Sequence, residues 1–281
     1  MAYVRERSKP YSPGQVEPFK LSRSKIELYM QCPRCFWLDV RHKITRPSSP
    51  PFNINKAIDE LFKKEFDAYR ASNQPHPLMS KFGVKAVPYK HKDLDKWRHN
   101  FTGVWTVHAA TNLHIFGAVD DVWVDEQGAL MVVDYKATAK AEPVKSLGAE
   151  GTWHDMYRRQ MEIYQWLLRQ NGFEVSDTGY FVYATGNPGK DAFDGIVEFE
   201  THVFPHHGKS NWVDGVLNEM KACMDNDEMP AIGTAAMGGE CEHCTYATRR
   251  SVLLLENIIN NPKNTPEKIV KSYRNSRFGK K

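Results

Sequence analysis

Acidic and basic side chains that could bind a metal ion and an anion follow one another between His114 and Lys136. Asp120 stands in a first apolar stretch, and Asp134 and Lys136 close a second one. Because side chains two apart on a strand point to the same side, Asp134 and Lys136 are expected on one face. A buried carboxylate and ammonium are costly unless they bind something. The pattern therefore indicates a site that offers a carboxylate to a divalent cation and an ammonium to an anionic substrate.

A turn at Asp125–Gly128 separates the two apolar stretches, and this arrangement predicts a β-hairpin. The second stretch, residues 129–135, is almost wholly apolar, as is typical of a strand buried on both faces. Asp120 and Asp121 are predicted to lie in the middle of the first arm. On paired arms of one hairpin, Asp120 and Asp134 could converge on a single cation.

The chemistry that such a site favours is phosphodiester hydrolysis. At neutral pH this reaction needs a metal ion to generate hydroxide and to offset charge on the phosphorus oxygens. Mg²⁺ and Mn²⁺ prefer carboxylate, carbonyl and water ligands. Asp120, Asp134 and the backbone carbonyl of Tyr135 are the predicted ligands. Lys136 is predicted to orient or help deprotonate the attacking water and to stabilise the pentacovalent state.

An amphipathic helix is predicted over residues 153–171, with Thr152 and Asp155 at its start and Gly172 at its end. Side chains three and four apart share a helix face, which is the case for the set Tyr157, Gln160 and Tyr164. That face is predicted to hold Lys136, metal-bound water or a phosphate, although packing is the ordinary role of such residues. Tyr157 and Arg158 are the predicted DNA contacts.

Three segments together resemble the PD-(D/E)XK nuclease superfamily, namely Gly117–Asp120, Asp134–Lys136 and Tyr157–Tyr164. The chain is most similar to the branch that holds the RecB-like exonucleases and the CRISPR-associated helper nucleases with an iron–sulfur cluster. Residues 24–38 also resemble the helical start of that branch. The resemblance covers about residues 22–250. It implies a restriction-endonuclease-like α/β core, in which a central mixed β-sheet is flanked by helices.

The resemblance also implies roles for individual residues. Asp120 matches the Gly-x-x-Asp spacing of the superfamily, whereas Asp121 is expected on the opposite face. Asp120 and Asp134 are implied as metal ligands, Lys136 as the catalytic lysine, and Gln160 and Tyr164 as the auxiliary helix motif.

One position departs from the branch. A metal-binding histidine often stands early in the helix that matches the one predicted at residues 54–70 here. This chain has Asp59 in that slot, followed by Glu60. Because aspartate binds Mg²⁺, Asp59 is the expected further ligand, with Glu60 or Glu65 as substitutes.

Four of the five cysteines form two Cys-x-x-Cys pairs, Cys32 with Cys35 and Cys241 with Cys244. If the chain ends meet, these thiols make one tetrathiolate site for tetrahedral Zn²⁺ or for a [4Fe–4S] cluster. The resemblance implies a cluster that clamps the terminal regions. The last cysteine of the branch pattern corresponds to Arg250, so Cys35 is expected to supply the fourth thiolate. Because four thiolates leave no open position, the expected role is structural.

Composition is ordinary for a folded protein, with 41% hydrophobic and 26% charged residues and a net charge of +4. No apolar run approaches the roughly 20 residues that span a bilayer. The first residues lack the apolar core of a secretory signal, so a cytoplasmic location is expected. A flexible basic arm is predicted for residues 1–20, one nuclease-like domain for 21–258, and a basic tail for 259–281.

Further elements are predicted from periodicity and from start and stop signals. Ser24–Glu27 reads as a capping box and Pro33 as a helix breaker. Trp97 and Trp105 lie in a weakly patterned region, where they belong to the core or stack on bases. The other predicted elements are helices at residues 36–40, 211–225 and 246–258, and strands at 178–184 and 196–204.

These observations together predict a metal-dependent nuclease that hydrolyses DNA, with Mg²⁺ or Mn²⁺ as cofactor. Its expected setting is recombination, repair or phage-related processing, on single strands or duplex ends. The sequence contains no helicase motif, so a helicase or recombination partner is expected as a separate chain. The alternative is a catalytically inactive nucleic-acid-binding or scaffold protein of the same fold.

Overall fold

The structure, a computed structural model, describes residues 9–48, 52–235, 238–261 and 267–268. Its described strands are β1 (Phe19–Ser22), β2 (Ala86–Pro88), β3 (Val104–His108), β4 (Leu113–Gly117), β5 (Asp121–Asp125), β6 (Leu130–Ala139), β7 (Thr178–Gly186) and β8 (Phe199–His207). Its described helices are α1 (Arg23–Gln31), α2 (Pro33–His42), α3 (Asn53–Ser72), α4 (Pro77–Lys81), α5 (Leu94–Arg98), α6 (Asp155–Gln170), α7 (Val213–Asp225) and α8 (Glu242–Asn260).

A five-stranded mixed sheet forms the centre, in the order β2-β5-β6-β7-β8. Strands β6 and β7 are parallel, and the other neighbours are antiparallel. Alternate residues of β6 enter two different cores: Val132 packs with the buried face of α6, and Val133 packs with Phe66 of α3. The sheet is therefore covered by a helix on each face, which confirms the predicted α/β fold and explains why β6 is so apolar.

The predicted hairpin is confirmed, but its first arm is not one continuous strand. The turn closes with the Asp125 N–H donating to the Ala129 carbonyl at 3.1 Å, and Gly128 takes the positive φ of 92° that the turn requires. Residues 114–117 belong to β4 in a second sheet, and β5 begins only at Asp121. Asp120 therefore lies in the irregular segment between two sheets, not in mid-strand.

Gly117 lies where the chain leaves the second sheet, in close contact with α6. A Cβ placed on it would lie 2.6 Å from the ring of Tyr164 and 3.3 Å from the Cβ of Arg23. Only glycine allows the end of β4 to pass this close to α6. The local hydrophobic pattern carries no sign of this contact, because it comes from a helix 47 residues away in sequence.

The second sheet has three strands in the order β1-β4-β3, with β1 parallel to β4 and β3 antiparallel to it. Its inner face packs into the main core through Leu21, Leu113 and Ile115. Of the two tryptophans in this region, Trp97 is buried, whereas Trp105 is 51% exposed on β3. Of the two predicted alternatives, a place in the core therefore holds for Trp97 and not for Trp105.

Several predicted helix starts are wrong, because the side chains bind elsewhere. Helix α1 begins at Arg23 without a side-chain cap, and Glu27 instead accepts two hydrogen bonds from Arg159. The predicted break at Pro33 is confirmed, because α1 ends at Gln31, but the second helix begins at Pro33 itself and not at Phe36. Helix α6 begins at Asp155, whose carboxylate accepts from Gly151, while Thr152 donates to Ala149.

The arm predicted for residues 1–20 is wrong for its described part. Tyr11 is buried in the main core, and its hydroxyl donates to Asp225 at 2.6 Å. A tyrosine ring buried in this way anchors residues 9–18 ahead of β1. Residues 1–8, 262–266 and 269–281 lie outside the described residues, as do most of the predicted basic tails. In the part of the chain that is described, no helix is long and apolar enough to cross a membrane.

Candidate functional site

The segment after β4, strand β6 and helices α3 and α6 meet at one edge of the central sheet. Each of them contributes polar side chains there. The contributing residues are Asp59 on α3, Asp120 between the sheets, Asp134 and Lys136 on β6, and Tyr157, Gln160 and Tyr164 on α6.

Asp134 is fully buried and holds two partners. The Lys136 ammonium forms an ion pair with Oδ2, and Gln160 Nε2 donates to Oδ1 at 2.8 Å. Lys136 Nζ also lies 4.6 Å from the centre of the Tyr157 ring, within range of a cation–π contact. Burial opposes the charge on Lys136, but the carboxylates of Asp134 and Asp120 outweigh it and raise the pKa of the lysine. Lys136 is therefore a cation near neutral pH.

Asp120 is held by the backbone of β6, because its Oδ2 accepts from the Tyr135 N–H at 2.9 Å. Burial and the nearby Asp134 carboxylate raise the pKa of Asp120 to about 7, and Lys136 and Lys63 oppose this rise. A carboxyl group with such a pKa retains a proton through much of the range below neutrality. A cation bound between the two carboxylates would favour the loss of that proton.

Asp59 faces the same site from α3. Its Oδ2 pairs with Lys63 at 2.6 Å, one turn further along the helix, and its buried Oδ1 has no hydrogen-bond partner. Burial and the Asp120 carboxylate raise the pKa of Asp59, and Lys63 opposes the rise. The i,i+4 spacing of Asp59 and Lys63 is visible in the sequence, but without the fold it did not point to Lys63 as part of the site.

A pocket of about 250 Å³ opens between α3, β6 and α6. The Asn55 side chain closes one side by donating to the Ala137 carbonyl at 3.1 Å. The pocket is lined by Asn55, Ile58, Asp59, Tyr135, Lys136, Ala137 and Tyr157. A small anionic group that enters it meets the Lys136 ammonium.

Asp121 lies on the other side of the sheet from Asp120. It is fully buried, forms ion pairs with Arg70 and Arg98, and accepts from the Tyr135 hydroxyl at 2.7 Å. Arg98 also donates to the backbone carbonyl of Asp120 at 3.1 Å. This cluster fixes the segment that carries Asp120. Arg70 and Arg98 were missed from the sequence, because both come from helices far from the hairpin in the chain.

The remaining predicted residues of α6 differ in their surroundings. Tyr164 is within 3.4 Å of Gln160 Nε2, and its hydroxyl interacts with Arg23, which sequence reasoning missed. Burial opposes the charge of Arg23, but Tyr164 and Asp134 raise its pKa. Arg158 instead donates to Asp155 at 2.5 Å and to the Gly148 carbonyl. It braces the loop before α6, and its contact with DNA stays a prediction.

The donor set of the carboxylate site fits a hard cation. Its candidate ligands are oxygens, and one buried carboxylate oxygen, Oδ1 of Asp59, lacks a hydrogen-bond donor. The three carboxylates do not converge as tightly as a preformed site. Within the described residues, only the cysteines bring three or more candidate ligand atoms within 4.8 Å of one another.

The four cysteines of the two pairs lie together and buried, as predicted. Cys32 Sγ is 3.6 Å from Cys244 Sγ, and Cys35 Sγ is 3.4 Å from Cys244 Sγ and 3.7 Å from Cys241 Sγ. All are free thiols. The cluster joins α1 and α2 to the start of α8, so it ties together segments more than 200 residues apart. Four converging thiols fit a tetrathiolate metal site.

Donors surround these sulfurs. The N–H groups of Cys35 and Gly233 donate to Cys32 Sγ at 3.4 and 3.3 Å, and Arg46 donates to Cys241 Sγ at 3.3 Å. Burial raises the pKa of the Cys32 thiol, but the two backbone donors outweigh burial and lower this pKa to about 7. Gly233 is required here, because a Cβ would lie 2.4 Å from the Cα of Cys32. The fifth cysteine, Cys223, is apart on α7, where burial raises its pKa to about 11.

Comparison with known proteins places the chain in a family. Residues 53–249 match the PD-(D/E)XK nuclease superfamily. No curated protein matches the chain. A solved crystal structure, that of a protein designated SSO0001, is 13% identical, covers 76% of this chain and 80% of its own, and superposes with a TM-score of 0.35, which is too low to support an argument. The match spans most of the chain and includes the carboxylates, Lys136 and the α6 motif. The chain belongs to the PD-(D/E)XK nuclease superfamily.

Proposed function

We propose that this protein is a Mg²⁺- or Mn²⁺-dependent nuclease that hydrolyses phosphodiester bonds in DNA. The observation that carries the proposal is the arrangement in the middle of β6. There the Lys136 ammonium pairs with the buried Asp134, beside a second carboxylate whose pKa is raised to about 7. Membership of a nuclease superfamily supports the same reaction. A scaffold protein would have no need of a buried carboxylate pair with a lysine beside it.

The residues that would hold the cation are Asp120 and Asp134, with Asp59 and the Tyr135 carbonyl as further ligands. A bound Mg²⁺ or Mn²⁺ would supply Lewis-acid stabilisation of the phosphoryl oxygens and a water of lowered pKa. Asp120 would release its proton when the site fills, since its pKa is raised by Asp134 and by burial. Gln160 would keep Asp134 in position through its 2.8 Å hydrogen bond.

Lys136 would act as a fixed positive charge. Its ammonium faces the pocket of about 250 Å³, where it would attract a phosphate and stabilise the charge that develops on its oxygens. The raised pKa of Lys136 argues against a role as general base. This sharpens the expectation from sequence, in which Lys136 was given both tasks.

The cysteine cluster would have a structural task. We propose that it binds a [4Fe–4S] cluster and clamps α1 and α2 to α8, as in the RecB-like branch that the chain resembles. Zinc is the alternative that the same thiols would accept. The proposed setting is recombination, repair or phage-related DNA processing, with any helicase or recombination partner on a separate chain.

Cleavage of linear DNA tests the proposed activity. Purified protein is incubated with single-stranded and duplex DNA in Mn²⁺, beside Asp134→Ala and Lys136→Ala. Cleavage by the wild type and its loss in both variants is the expected result. Cleavage that survives both substitutions contradicts the site, and wild-type binding without cleavage on every substrate favours the scaffold alternative.

Colour and metal content test the proposed cluster. Anaerobically purified protein is expected to contain iron and sulfide and to absorb broadly in the visible range. Stoichiometric zinc in a colourless protein would assign the site to zinc instead, because Zn²⁺ has a filled d shell.

A further inference from the structure

The outer face of the three-stranded sheet carries aromatic and basic side chains in two rows. The strand register places Lys20, His114 and Val107 in one row and Ser22, Phe116 and Trp105 in the next. These residues alternate with the buried Leu21, Leu113 and Ile115, so they point away from the core. We call this surface the outer face.

The aromatic rings of the outer face are held in place and remain accessible. Trp105 stacks on His114, with ring centres 4.8 Å apart and planes 12° from parallel, and yet it is 51% exposed. One side of its indole is thus supported and the other is open. Phe101, in the turn before β3, is 57% exposed. Tryptophan is enriched at interfaces, because its ring offers a large contact area and its N–H a hydrogen-bond donor.

The charge of the outer face suits an anion. Strands β1, β3 and β4 contain no acidic residue. The Lys20 ammonium donates to the Phe101 carbonyl at 2.9 Å and lies 4.4 Å from the Phe116 ring centre, so a cation is fixed among the aromatic rings. A shallow pocket of about 390 Å³ continues from Lys20 along residues 9–20 and is also lined by Lys9; Glu17 is its one acidic residue.

The outer face leads to the candidate active site. Strands β1 and β4 are parallel and end side by side: Ser22 is followed by Arg23, which interacts with Tyr164, and Phe116 is followed by Gly117, which packs on the same tyrosine. Asp120 stands four residues after Phe116, a span of at most about 14 Å. A ligand strand on the outer face would therefore lie within a few nucleotides of the carboxylates.

We propose that the outer face binds single-stranded nucleic acid, with a base stacked on Trp105 and a backbone phosphate at Lys20. Open aromatic rings beside a lysine recognise unpaired bases and phosphate together, whereas bases in a duplex are already stacked and present no free ring face. This proposal rests on the proposed nuclease function, because it assigns the surface that would feed a strand to the site.

Binding without cleavage tests the outer face directly. The full-length protein is titrated into a fluorescein-labelled thymidine oligonucleotide of about 16 nucleotides, with Ca²⁺ replacing Mg²⁺. Trp105→Ala is expected to weaken binding by about tenfold or more, and Trp105→Phe to restore most of it. Lys20→Gln is expected to weaken binding less and to lower the salt slope by about 0.7. The matched control is Phe193→Ala, which removes an aromatic ring that is 70% exposed elsewhere on the surface.

The result that overturns the proposal is equal binding by Trp105→Ala and Phe193→Ala, or an equal loss by Trp105→Ala on single-stranded and duplex probes. Cleavage in Mn²⁺ is measured separately. If the wild type does not cleave but its binding depends on Trp105, the proposal for the outer face stands and the proposed nuclease activity is contradicted. If the wild type cleaves but its binding does not depend on Trp105, the nuclease activity stands and the proposal for the outer face is contradicted.

Discussion

The cysteine cluster brings four ligand atoms within 4.8 Å of one another, whereas the carboxylates of the candidate active site stand apart. The thiols come from segments near the two ends of the described chain, are buried together with Leu28 and Ile232 packed against them, and accept from a few donors. The carboxylates of Asp59 and Asp134 are instead each paired with a lysine, next to an open pocket.

This difference fits the two tasks proposed for the two sites. A closed, preformed thiolate site holds its metal permanently and adds the binding energy to the fold. An open site must stay folded without its cation, and Lys63 and Lys136 balance part of the carboxylate charge in that state.

The largest effect is expected when the cysteine cluster loses a thiol. Structural zinc contributes about 10–16 kcal/mol of binding free energy. Cys32→Ser should therefore lose the bound metal and lower the free energy of unfolding by more than about 5 kcal/mol. Cys223→Ser is the control, since Cys223 lies outside the cluster. Metal analysis measures the bound metal, and denaturant unfolding measures the free energy of unfolding of each variant. Equal metal content in the two variants would show that the cysteine cluster binds no metal.

The neighbouring aspartates of the hairpin should separate folding from activity. Asp121→Asn weakens a buried cluster with Arg70 and Arg98, so a loss of about 3–5 kcal/mol in unfolding free energy is expected. Asp120→Asn should keep the fold, because its carboxyl already favours the neutral form, and should abolish cleavage. Chemical denaturation and cleavage assays compare them. If Asp121→Asn abolished cleavage without loss of stability, and Asp120→Asn destabilised the fold without loss of cleavage, the roles assigned to the two residues would be wrong.

A smaller effect is expected from the hydrogen bond that orients Asp134. Gln160→Ala removes the 2.8 Å donor to Oδ1, and loss of such an outer partner typically costs about 10–100-fold in metal affinity. Gln170→Ala, on the exposed last turn of the same helix, is the matched control. Mn²⁺ titrations of cleavage report the affinity. If both variants require the same Mn²⁺ concentration as the wild type, Gln160 has no part in the site.

The pH dependence should be the mildest test. The pKa of Asp120 is raised to about 7, so its carboxyl group binds a proton more tightly in the folded protein than in the unfolded protein. Between about pH 4 and 7 the metal-free protein should therefore lose stability as the pH rises. Apparent Mn²⁺ affinity should do the opposite and increase by up to about tenfold per pH unit below 7. Calorimetry at several pH values measures the stability and the Mn²⁺ affinity. A Mn²⁺ affinity that does not change with pH would contradict the raised pKa of Asp120.

The sequence was sufficient where the signal was local. The turn at Asp125–Gly128, the apolar strand that leads to Asp134, and the spacing along α6 are all patterns of near neighbours in sequence. The two Cys-x-x-Cys pairs also predicted a metal site, because few other roles require cysteines at that spacing. Hence the fold class and the membership of the superfamily were predictable.

Other features depend on contacts that no local pattern records. The close approach of Gly117 to the ring of Tyr164 requires a glycine at that position, and Arg98 of α5 donates to the Asp120 carbonyl. Tyr11 was placed in a flexible arm because its neighbours are polar, although its own ring is buried. Only the fold shows that Trp97 is buried and Trp105 is exposed.

The central claim is that the carboxylates of Asp120 and Asp134 form a cation site separate from the cysteine cluster. Equilibrium Mn²⁺ binding, followed by electron paramagnetic resonance, tests it most directly in the wild type, Asp134→Ala and Cys223→Ser. The wild type and Cys223→Ser should bind Mn²⁺ alike, while Asp134→Ala should lose at least about tenfold in affinity and keep its thiol-bound metal. Unchanged Mn²⁺ binding by Asp134→Ala would contradict the account.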